Sequence, residues 1–264
     1  MRAVSIEPIA AFSDNYIWLL HDGRDAVVVD PGDAAPVMAA LRMHGVQLAA
    51  ILVTHHHGDH VGGLPALLQH RQVPVYGPAG EDIALLTQRL NDGDAFTLQV
   101  WGAQWQVLQV PGHTLGHIAF YCAALPGGPG PVLMCGDTLF SAGCGRLFEG
   151  TPAQMLGSLN RLAALPGDTA VYCAHEYTVA NLRFAQACDP HNPARDAYLA
   201  RCLAARAAGQ PTLPSSLALE RDVNPFLRCD VPQVQAAVAA HAGTALHTRD
   251  AVFAAMRGWK NDFR

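Results

Sequence analysis

The segment THHHGDH at residues 54–60 concentrates side chains that bind divalent metal ions, directly after the apolar run AAILV. Imidazole and carboxylate groups are the usual ligands of zinc and related ions. Side chains alternate faces along an extended chain, so the first and third histidines share one side while His56 points away. One short loop therefore offers two ligand pairs aimed at two points. These pairs are His55 with His57, and Asp59 with His60.

Two coordination shells need further ligands, and three other strand-like runs end in suitable side chains. They are His113 in VPGH, Asp137 in CGD and His175 in CAH. Strand ends on one edge of a sheet converge in space, so we expect these side chains to join the loop. The expected assignment is His55, His57 and His113 for the first metal, Asp59, His60 and His175 for the second, and a bridging Asp137.

Each remote ligand also has an ordinary structural interpretation. A single histidine after a strand is more often a hydrogen-bonded structural residue, and a Gly-Asp pair such as 136–137 is usually a turn. The cluster at 55–60 differs, because five ionisable side chains within six positions would be costly to gather without a bound partner. Asp30 in VVVDPGD either orients a ligand or forms a turn, and both remain open. Structural or surface positions are expected for His21, His44, His56, His70 and His117, of which His117 lies nearest in sequence to a proposed ligand.

Short β-rich runs that end in turn residues or histidine dominate the chain as far as residue 175. Each holds a few apolar or β-branched residues, which is the pattern of a buried strand. The segment at 151–165 instead predicts a helix: Thr151 can cap it, Pro152 suits its first turn and Gln154 completes a capping box. The predicted strands cover residues 26–30, 49–55, 104–113, 131–137 and 169–175.

Beyond about residue 176 the strand runs give way to alanine-rich helical segments, separated by polar connections that contain proline. We therefore expect two domains. Residues 1–175 would form a mixed α/β metal-binding domain, and residues 176–264 would form a smaller helical domain that binds the substrate. The predicted helices of the second part cover residues 178–187, 194–208, 231–241 and 248–260.

Composition disfavours several classes of function. The chain has 264 residues, half of them apolar, and its formal net charge of −5 disfavours non-specific nucleic-acid binding. Glu7 and Asp14 interrupt the amino-terminal apolar run, so no signal peptide is expected, and no apolar run is long enough for a membrane span. Seven cysteines without a CxxC pair fit a reduced protein. We expect a cytoplasmic monomer that binds neither nucleic acid nor membranes.

The pattern of His55, His57, Asp59 and His60 resembles the H-x-H-x-D-H motif of the metallo-β-lactamase superfamily. This resemblance covers the first predicted domain. It implies an α+β fold, a four-layer αββα sandwich with the metal ions at one edge of its two sheets, here followed by a C-terminal helical domain. Members of the superfamily cleave lactams, thioesters, lactones and nucleic acids, and some are oxygenases, so the fold alone does not give the substrate.

Further segments resemble the glyoxalase II family of hydroxyacylglutathione hydrolases over nearly the whole chain. They are CGDTLFSAGCGRLFEGT at 135–151, AHEYTVANLRFA at 174–185, VNPFLR at 223–228 and MRGWKNDF at 256–263. The resemblance implies hydrolysis of S-D-lactoylglutathione to glutathione and D-lactate, a step of methylglyoxal detoxification. It implies two divalent ions, with zinc as the expected metal and iron or manganese as alternatives. It also implies glutathione contacts from Arg146, Phe148, Tyr177, Arg257 and Lys260.

Two of these positions depart from the family pattern CGKFYEG. Arg146 replaces lysine, which keeps the positive charge but not the lysine geometry. Phe148 replaces tyrosine, so any hydrogen bond from the phenol hydroxyl is lost. We expect these replacements to affect substrate affinity rather than the chemistry.

The predicted site suits hydrolysis of a thioester. Two cations that share a water molecule lower its pKa towards neutrality, and the bridging hydroxide would attack the thioester carbonyl. The conjugate acid of the thiolate leaving group has a pKa of about 8.5, so no strong general acid is needed. Asp59 and Asp137 are the catalytic carboxylates in this interpretation. The main alternative is a persulfide dioxygenase with one iron ion; a non-catalytic binding protein and a nuclease are weaker alternatives.

Overall fold

Strands and helices alternate through the first part of the chain, and a computed structural model describes residues 2–263. The first sheet contains β1 (Ser5–Ala11), β2 (Asn15–His21), β3 (Asp25–Val29), β4 (Gln47–Leu52), β5 (Val75–Pro78) and β6 (Gln88–Leu90), in that order. The helices between these strands are α1 (Ala34–His44), α2 (Gly58–Val61) and α3 (Leu64–His70).

A second sheet follows. Its strands are β7 (Ala95–Leu98), β8 (Ala103–Gln109), β9 (Ile118–Cys122), β10 (Val132–Gly136), β13 (Ala170–Cys173) and β14 (Ser215–Ser216). Their order across the sheet is β14-β13-β10-β9-β8-β7. Since β9 is antiparallel to both β8 and β10, and β10 is parallel to β13, the strands β8, β10 and β13 all end at one edge. A hairpin of β11 (Leu139–Phe140) and β12 (Gly143–Cys144), and the helix α4 (Pro152–Ala163), lie between these strands in sequence.

Helices make up nearly all of the last part of the chain. They are α5 (Thr178–Cys188), α6 (Pro193–Ala207), α7 (Leu217–Val223), α8 (Pro232–Ala242) and α9 (Arg249–Asp262), with a 3-10 turn at Pro225–Leu227. The four helices predicted here are confirmed, and so is α4, whose capping box forms between Thr151 and Gln154. The expectation that strands stop near residue 176 is wrong in one detail, because β14 pairs with β13 from within this part.

The predicted strands ended too late. The predicted strand 49–55 ends at Leu52, and the predicted strand 104–113 ends at Gln109. The reason is that the histidines after these strands lie in loops that turn across the edge of the sheet, so the backbone there leaves the ladder of hydrogen bonds. The proposed ligands are therefore loop residues that follow strand ends.

Alternation of side chains along β3 shows how the layers form. Val27 and Val29 enter the large core between the two sheets, whereas Val28 enters a second core with α1 and α3. On the other sheet, the apolar stripe of α4 joins the large core through Met155 and Leu159, and α4 packs against α9. Helix, sheet, sheet and helix thus form the expected αββα sandwich.

The helical part shares the large core instead of having a wholly separate one. Phe184, Phe226 and Phe253 belong to the same buried cluster as the sheets. Glu220 of α7 is buried and accepts hydrogen bonds from Ser141 Oγ and from the Ala142 N–H, both at 2.8 Å. These contacts hold the β11-β12 hairpin in place beside the edge where the proposed ligands lie. None of the helices in residues 2–263 is long and apolar enough to cross a membrane.

Candidate metal centre

The seven predicted ligands come together at one edge of the sandwich. Four of them lie on the loop after β4 and the start of α2, and the others follow β8, β10 and β13. A bridge between Asn15 and His175 joins the two sheets at this edge. Buried or half-buried positions are found for all seven: His55, His57, Asp59, His60, His113, Asp137 and His175.

The first group brings three imidazole nitrogens to one point. His57 Nδ1 lies 3.1 Å from His55 Nε2 and 3.0 Å from His113 Nε2. A tetrahedral zinc ion with Zn–N bonds of 2.0–2.1 Å needs its nitrogens roughly 3.3 Å apart. The observed spacing is close to this value, so the group is suited to a single ion.

The second group contains two imidazoles and a carboxylate. Asp59 Oδ2 lies 3.5 Å from His60 Nε2 and 3.5 Å from His175 Nε2. The three side chains can offer ligand atoms that all lie within 4.8 Å of one another. This group is therefore also compact enough for one cation.

Asp137 lies between the two groups. Its Oδ2 is 3.3 Å from His113 Nε2 and 3.4 Å from His175 Nε2, and its Oδ1 is 3.4 Å from His60 Nε2. Among residues 2–263, neither Asp137 Oδ1 nor His60 Nε2 has a hydrogen-bond partner, although both atoms are buried. Unpaired buried polar atoms are costly, and a divalent cation would satisfy both. The donor set thus fits a two-metal centre.

Charges in the cluster favour a cation. Burial disfavours the charged form of His60, but the carboxylates of Asp137, Asp30 and Asp59 outweigh burial and raise its pKa to about 9. Burial likewise opposes ionisation of Asp137, yet His60 and His175 hold the pKa of its carboxyl group well below the usual range. Positive charge is therefore stabilised at His60, and a metal ion supplies it as a proton does. In the first group burial lowers the pKa of His55, which leaves its imidazole neutral and able to bind an ion.

Asp30 contacts residues that support proposed ligands, which favours the first of the two interpretations left open by the sequence. Its carboxylate accepts hydrogen bonds from the Thr54 N–H and hydroxyl, both at 2.7 Å, and its Oδ2 lies 3.1 Å from His60 Nδ1. Asp30 adopts a positive φ of 53°, a conformation that L-residues rarely adopt. Thr54 Oγ1 in turn accepts from His55 Nδ1 at 3.0 Å. One carboxylate thereby supports a ligand of each group.

Two further orienting residues were missed by the sequence analysis. Asp14 accepts a hydrogen bond from His175 Nδ1 at 2.7 Å, and Asn15 donates from Nδ2 to Asp59 Oδ2 at 2.9 Å. Both lie at the turn from β1 into β2, which reaches the same edge because β2 is antiparallel to β3. Their only sequence signal is a pair of polar residues that interrupts an apolar run.

The two neighbouring histidines stay outside both groups. His56 Nδ1 lies 3.0 Å from Glu81 Oε2, and its Nε2 lies 3.3 Å from Glu149 Oε1. His117 stacks on His55 at 4.6 Å, and its Nε2 accepts a hydrogen bond from the Asp137 N–H at 3.1 Å. Both therefore have structural contacts, as expected.

Two glycines allow the loops to approach each other closely. A Cβ atom at Gly32 would overlap the backbone of Asp59, and a Cβ atom at Gly145 would overlap the carbonyl oxygen of Asp137. Any other residue at these positions would push a proposed ligand away from the centre.

A cavity of about 550 Å³ opens over the cluster, and all five predicted substrate contacts line it. This volume lies within the ordinary range for small-molecule sites, which is about 300–1,000 Å³. Phe148 is 64% exposed and places its ring edge against His57 and His113, at 5.5 and 5.2 Å. The ring of Tyr177 stacks on His175 at 4.8 Å with an interplanar angle of 6°.

The three cations of the cavity differ in their environment. Arg146 is exposed, whereas Arg257 is buried and donates from Nη1 to the Cys144 carbonyl at 2.8 Å. Lys260 lies over the ring of Phe184 at 5.3 Å. Burial, followed by the charge of Arg257, lowers the pKa of Lys260 to about 8. Arg257 thus anchors the hairpin as well as lining the cavity.

Comparison with known families identifies both parts of the chain. The family model described as the metallo-beta-lactamase superfamily matches residues 11–175. The family model described as the C-terminus of hydroxyacylglutathione hydrolase matches residues 176–263. Among the relatives found, the hydroxyacylglutathione hydrolase of Cupriavidus taiwanensis is 58% identical over 99% of this chain and all of that protein. The chain belongs to the hydroxyacylglutathione hydrolase family.

Other members of the family agree with this assignment. The hydroxyacylglutathione hydrolases of Cupriavidus metallidurans and Nitrosomonas eutropha are 55% and 48% identical, each over 99% of this chain and all of the relative. The resemblance inferred from the motifs is therefore confirmed, and the chain is a hydrolase of the metallo-β-lactamase superfamily. Divalent metal binding is a property of that superfamily.

Solved structures support the fold. The ETHE1 protein of Myxococcus xanthus aligns with a TM-score of 0.64 over 97% of both chains at 23% identity. A crystal structure of TTHA1623 in a di-iron-bound form aligns with a TM-score of 0.58 at 26% identity, over 84% of this chain and all of that one. The expected sandwich with a C-terminal helical part is confirmed.

Proposed function

We propose that the chain hydrolyses the thioester bond of S-D-lactoylglutathione and of related S-2-hydroxyacylglutathiones, releasing glutathione and a 2-hydroxy acid such as D-lactate. The observation that carries this proposal is a single cavity with two chemically different parts. The metal-ligand cluster forms one part, and the cations Arg146, Arg257 and Lys260 line another. A substrate that joins a thioester to a tripeptide with two carboxylates matches this arrangement.

Two divalent ions, with zinc as the first choice and iron or manganese as alternatives, would be held by the residues of the cluster. The first position uses His55, His57 and His113, the second uses Asp59, His60 and His175, and both share Asp137. When bound, the two ions lower the pKa of a shared water molecule and so provide hydroxide at neutral pH. TTHA1623, which has the same fold, was solved in a di-iron-bound form, and this supports the proposal of two ions.

The protein's own side chains have two tasks in this reaction. Asn15 and Asp14 hold Asp59 and His175 in fixed orientations, which lowers the reorganisation that the transition state requires. Phe148 covers the outer side of the first histidine group with its ring, which limits the access of bulk water. The leaving thiolate needs no strong general acid. Asp59 and Asp137 would therefore serve as negatively charged metal ligands and not as proton donors.

Binding of the glutathione part is assigned to the cationic region. Lys260 carries a positive charge at neutral pH and can pair with a carboxylate of the tripeptide. Arg146 is exposed at the cavity and keeps the charge of the lysine that is usual in the family. The loss of a phenol hydroxyl at Phe148 removes one possible hydrogen bond, so affinity depends more on these cations.

The test is to follow loss of the thioester from S-D-lactoylglutathione while oxygen consumption is recorded in parallel. We expect thioester loss, release of a free thiol and no oxygen uptake. Lys260→Ala should raise KM, whereas Arg71→Ala, which removes an exposed cation outside the cavity, should not. Oxygen uptake with a glutathione persulfide, without thioester hydrolysis, would contradict the proposal and favour a persulfide dioxygenase.

Three further expectations stay predictions within this proposal. Residues 1–175 would act as the metal-binding domain and residues 176–264 as the substrate-binding domain. The chain would be monomeric and cytoplasmic. Size-exclusion chromatography with light scattering checks the monomeric state. Fractionation of the source cells checks the cytoplasmic location.

A further inference from the structure

A second cluster of histidine and carboxylate side chains lies at the opposite edge of the first sheet. Glu7 belongs to β1, His21 ends β2 and His44 ends α1. The other end of β2 is at the candidate metal centre, where Asn15 contacts Asp59. Six residue steps at about 3.3 Å each put His21 roughly 20 Å from Asn15. This edge cluster (Glu7, His21 and His44) is therefore separate from the catalytic cavity.

The side chains of the edge cluster converge on one carboxylate. Glu7 Oε1 lies 3.1 Å from His21 Nε2, and Glu7 Oε2 lies 3.3 Å from His44 Nε2. The centroids of the two imidazole rings are 4.6 Å apart. One ligand atom from each residue lies within 4.8 Å of the other two. Two imidazole nitrogens and one carboxylate oxygen thus face a common point.

Regular secondary structure holds this arrangement. In the antiparallel pair of β1 and β2, Glu7 lies opposite Leu19, so Glu7 and His21 are diagonal neighbours on one face. Helix α1 packs against β1 and ends at Gly45, whose φ of 64° stops the helix directly after His44. The backbone therefore positions all three side chains before any ligand binds.

We propose that the edge cluster is a second, exchangeable binding site for a divalent cation of the zinc class. Two histidines and a glutamate are an established zinc ligand set that leaves one position for water. The exposed fractions of the side chains are 11% for His21, 22% for His44 and 43% for Glu7. A cation can thus enter from solvent past the carboxylate while both imidazoles stay sheltered.

The edge cluster should bind zinc more weakly than the candidate metal centre. At that centre, the Nδ1 atoms of His55, His113 and His175 each have an oxygen partner within 3.0 Å. In the described part of the chain, His21 Nδ1 is buried and has no hydrogen-bond partner. Losing such an orienting partner typically lowers metal affinity about 10- to 100-fold. We therefore expect a zinc ion that exchanges readily.

The experiment is a calorimetric titration of Zn²⁺ into the full-length protein after its high-affinity positions have been filled. Variants His44→Ala and Glu7→Gln test the edge cluster, and Glu7→Gln keeps the size of the side chain. The control is His70→Ala, which removes an exposed histidine from the last turn of another helix, α3. Thermal melting and turnover of each variant report on folding.

We expect wild type and His70→Ala to bind one further zinc ion with the same affinity. His44→Ala and Glu7→Gln should lose that ion or bind it at least about tenfold more weakly, with melting and turnover unchanged. Absence of a further zinc ion in wild type would overturn the proposal, and so would binding with wild-type affinity by both test variants. Either result would leave Glu7 as a hydrogen-bond partner of His21 and a near neighbour of His44.

Discussion

The candidate metal centre and the edge cluster use the same residue types at opposite ends of β2 and α1, yet they differ in burial and support. His55 and His60 are fully buried, whereas Glu7 of the edge cluster is half-buried, with 43% of its side chain exposed. At the centre, Thr54 and Asp14 bond to the Nδ1 atoms of the proposed ligands His55 and His175, while no described residue bonds to His21 Nδ1. If both sites bind ions as proposed, we expect outer hydrogen bonds, more than ligand type, to separate a firmly held ion from an exchangeable one.

The backbone explains part of this difference. Proposed ligands at the centre lie on loops that follow strands, and Gly32 and Gly145 let these loops approach each other. The edge cluster instead projects from the faces of two strands and a helix, whose geometry the hydrogen-bond ladder fixes. Loops can bend around an ion until each ligand has a partner, whereas a strand face cannot.

The largest expected effect comes from Asp137→Ala, because both proposed metal positions would lose a ligand. Turnover should fall on the order of a thousandfold, and the metal content should drop from about two ions per chain. Glu7→Gln, the corresponding change in the edge cluster, should leave turnover unchanged. Elemental analysis and steady-state kinetics measure both. One tightly held iron ion together with a fully active Asp59→Ala variant would rule out the two-metal hypothesis.

Replacing adjacent histidines of the 54–60 loop one at a time should distinguish a proposed metal ligand, His57, from a histidine with only structural contacts, His56. We expect His57→Ala to lower turnover on the order of a hundredfold, because the first position loses one of three nitrogens. His56→Ala should keep most of its activity, since His56 contacts Glu81 and Glu149 and not the cluster. Equal losses in the two variants, measured by steady-state kinetics, would show that the ligand register is wrong.

Removing a hydrogen bond that supports a proposed ligand should lower the metal affinity of the centre towards that expected for the edge cluster. Asp14→Ala takes away the acceptor of His175 Nδ1, so metal affinity at the second position should fall about 10- to 100-fold. Competition with a chromophoric chelator measures this affinity. The control is Asp222→Ala, an exposed aspartate of α7. An unchanged metal affinity in Asp14→Ala would contradict the hypothesis that the hydrogen bond from His175 to Asp14 strengthens metal binding.

The smallest expected effect concerns Lys260, which lines the cavity but belongs to neither cluster. Its pKa is lowered to about 8, so its charge is complete below that pH and is lost as the pH rises through it. KM for the anionic substrate should therefore rise across that range, by roughly tenfold for one charged hydrogen bond. Lys260→Arg stays charged and corrects for ionisation of the substrate itself. A pH profile of KM identical in the two proteins would exclude this role, and metal content should not change in either.

The residues of the proposed ligand set could be chosen from the sequence because each member follows a recognisable apolar run, and the structure brings them together. Side chains along residues 54–60 point to alternating faces, which is a local property of extended chain. The prediction that His56 points away from His55 and His57 therefore needed no knowledge of the fold. The edge cluster could not be predicted in this way. His21 and His44 were expected to be structural or surface residues, since their approach to Glu7 depends on the register of β1 with β2 and on where α1 ends.

Long-range packing accounts for the remaining differences. The bond between His175 and Asp14 joins residues 161 positions apart, and no local pattern predicts which carboxylate reaches which imidazole. Arg257 was expected only to contact substrate, but α9 packs on α4 and buries its guanidinium against the Cys144 carbonyl, 113 positions away. The sequence by itself determined the residue types of the proposed ligands, the strands that they follow and the family. Tertiary structure alone decided which polar groups support them, because burial and hydrogen-bond partners arise only when distant elements pack together.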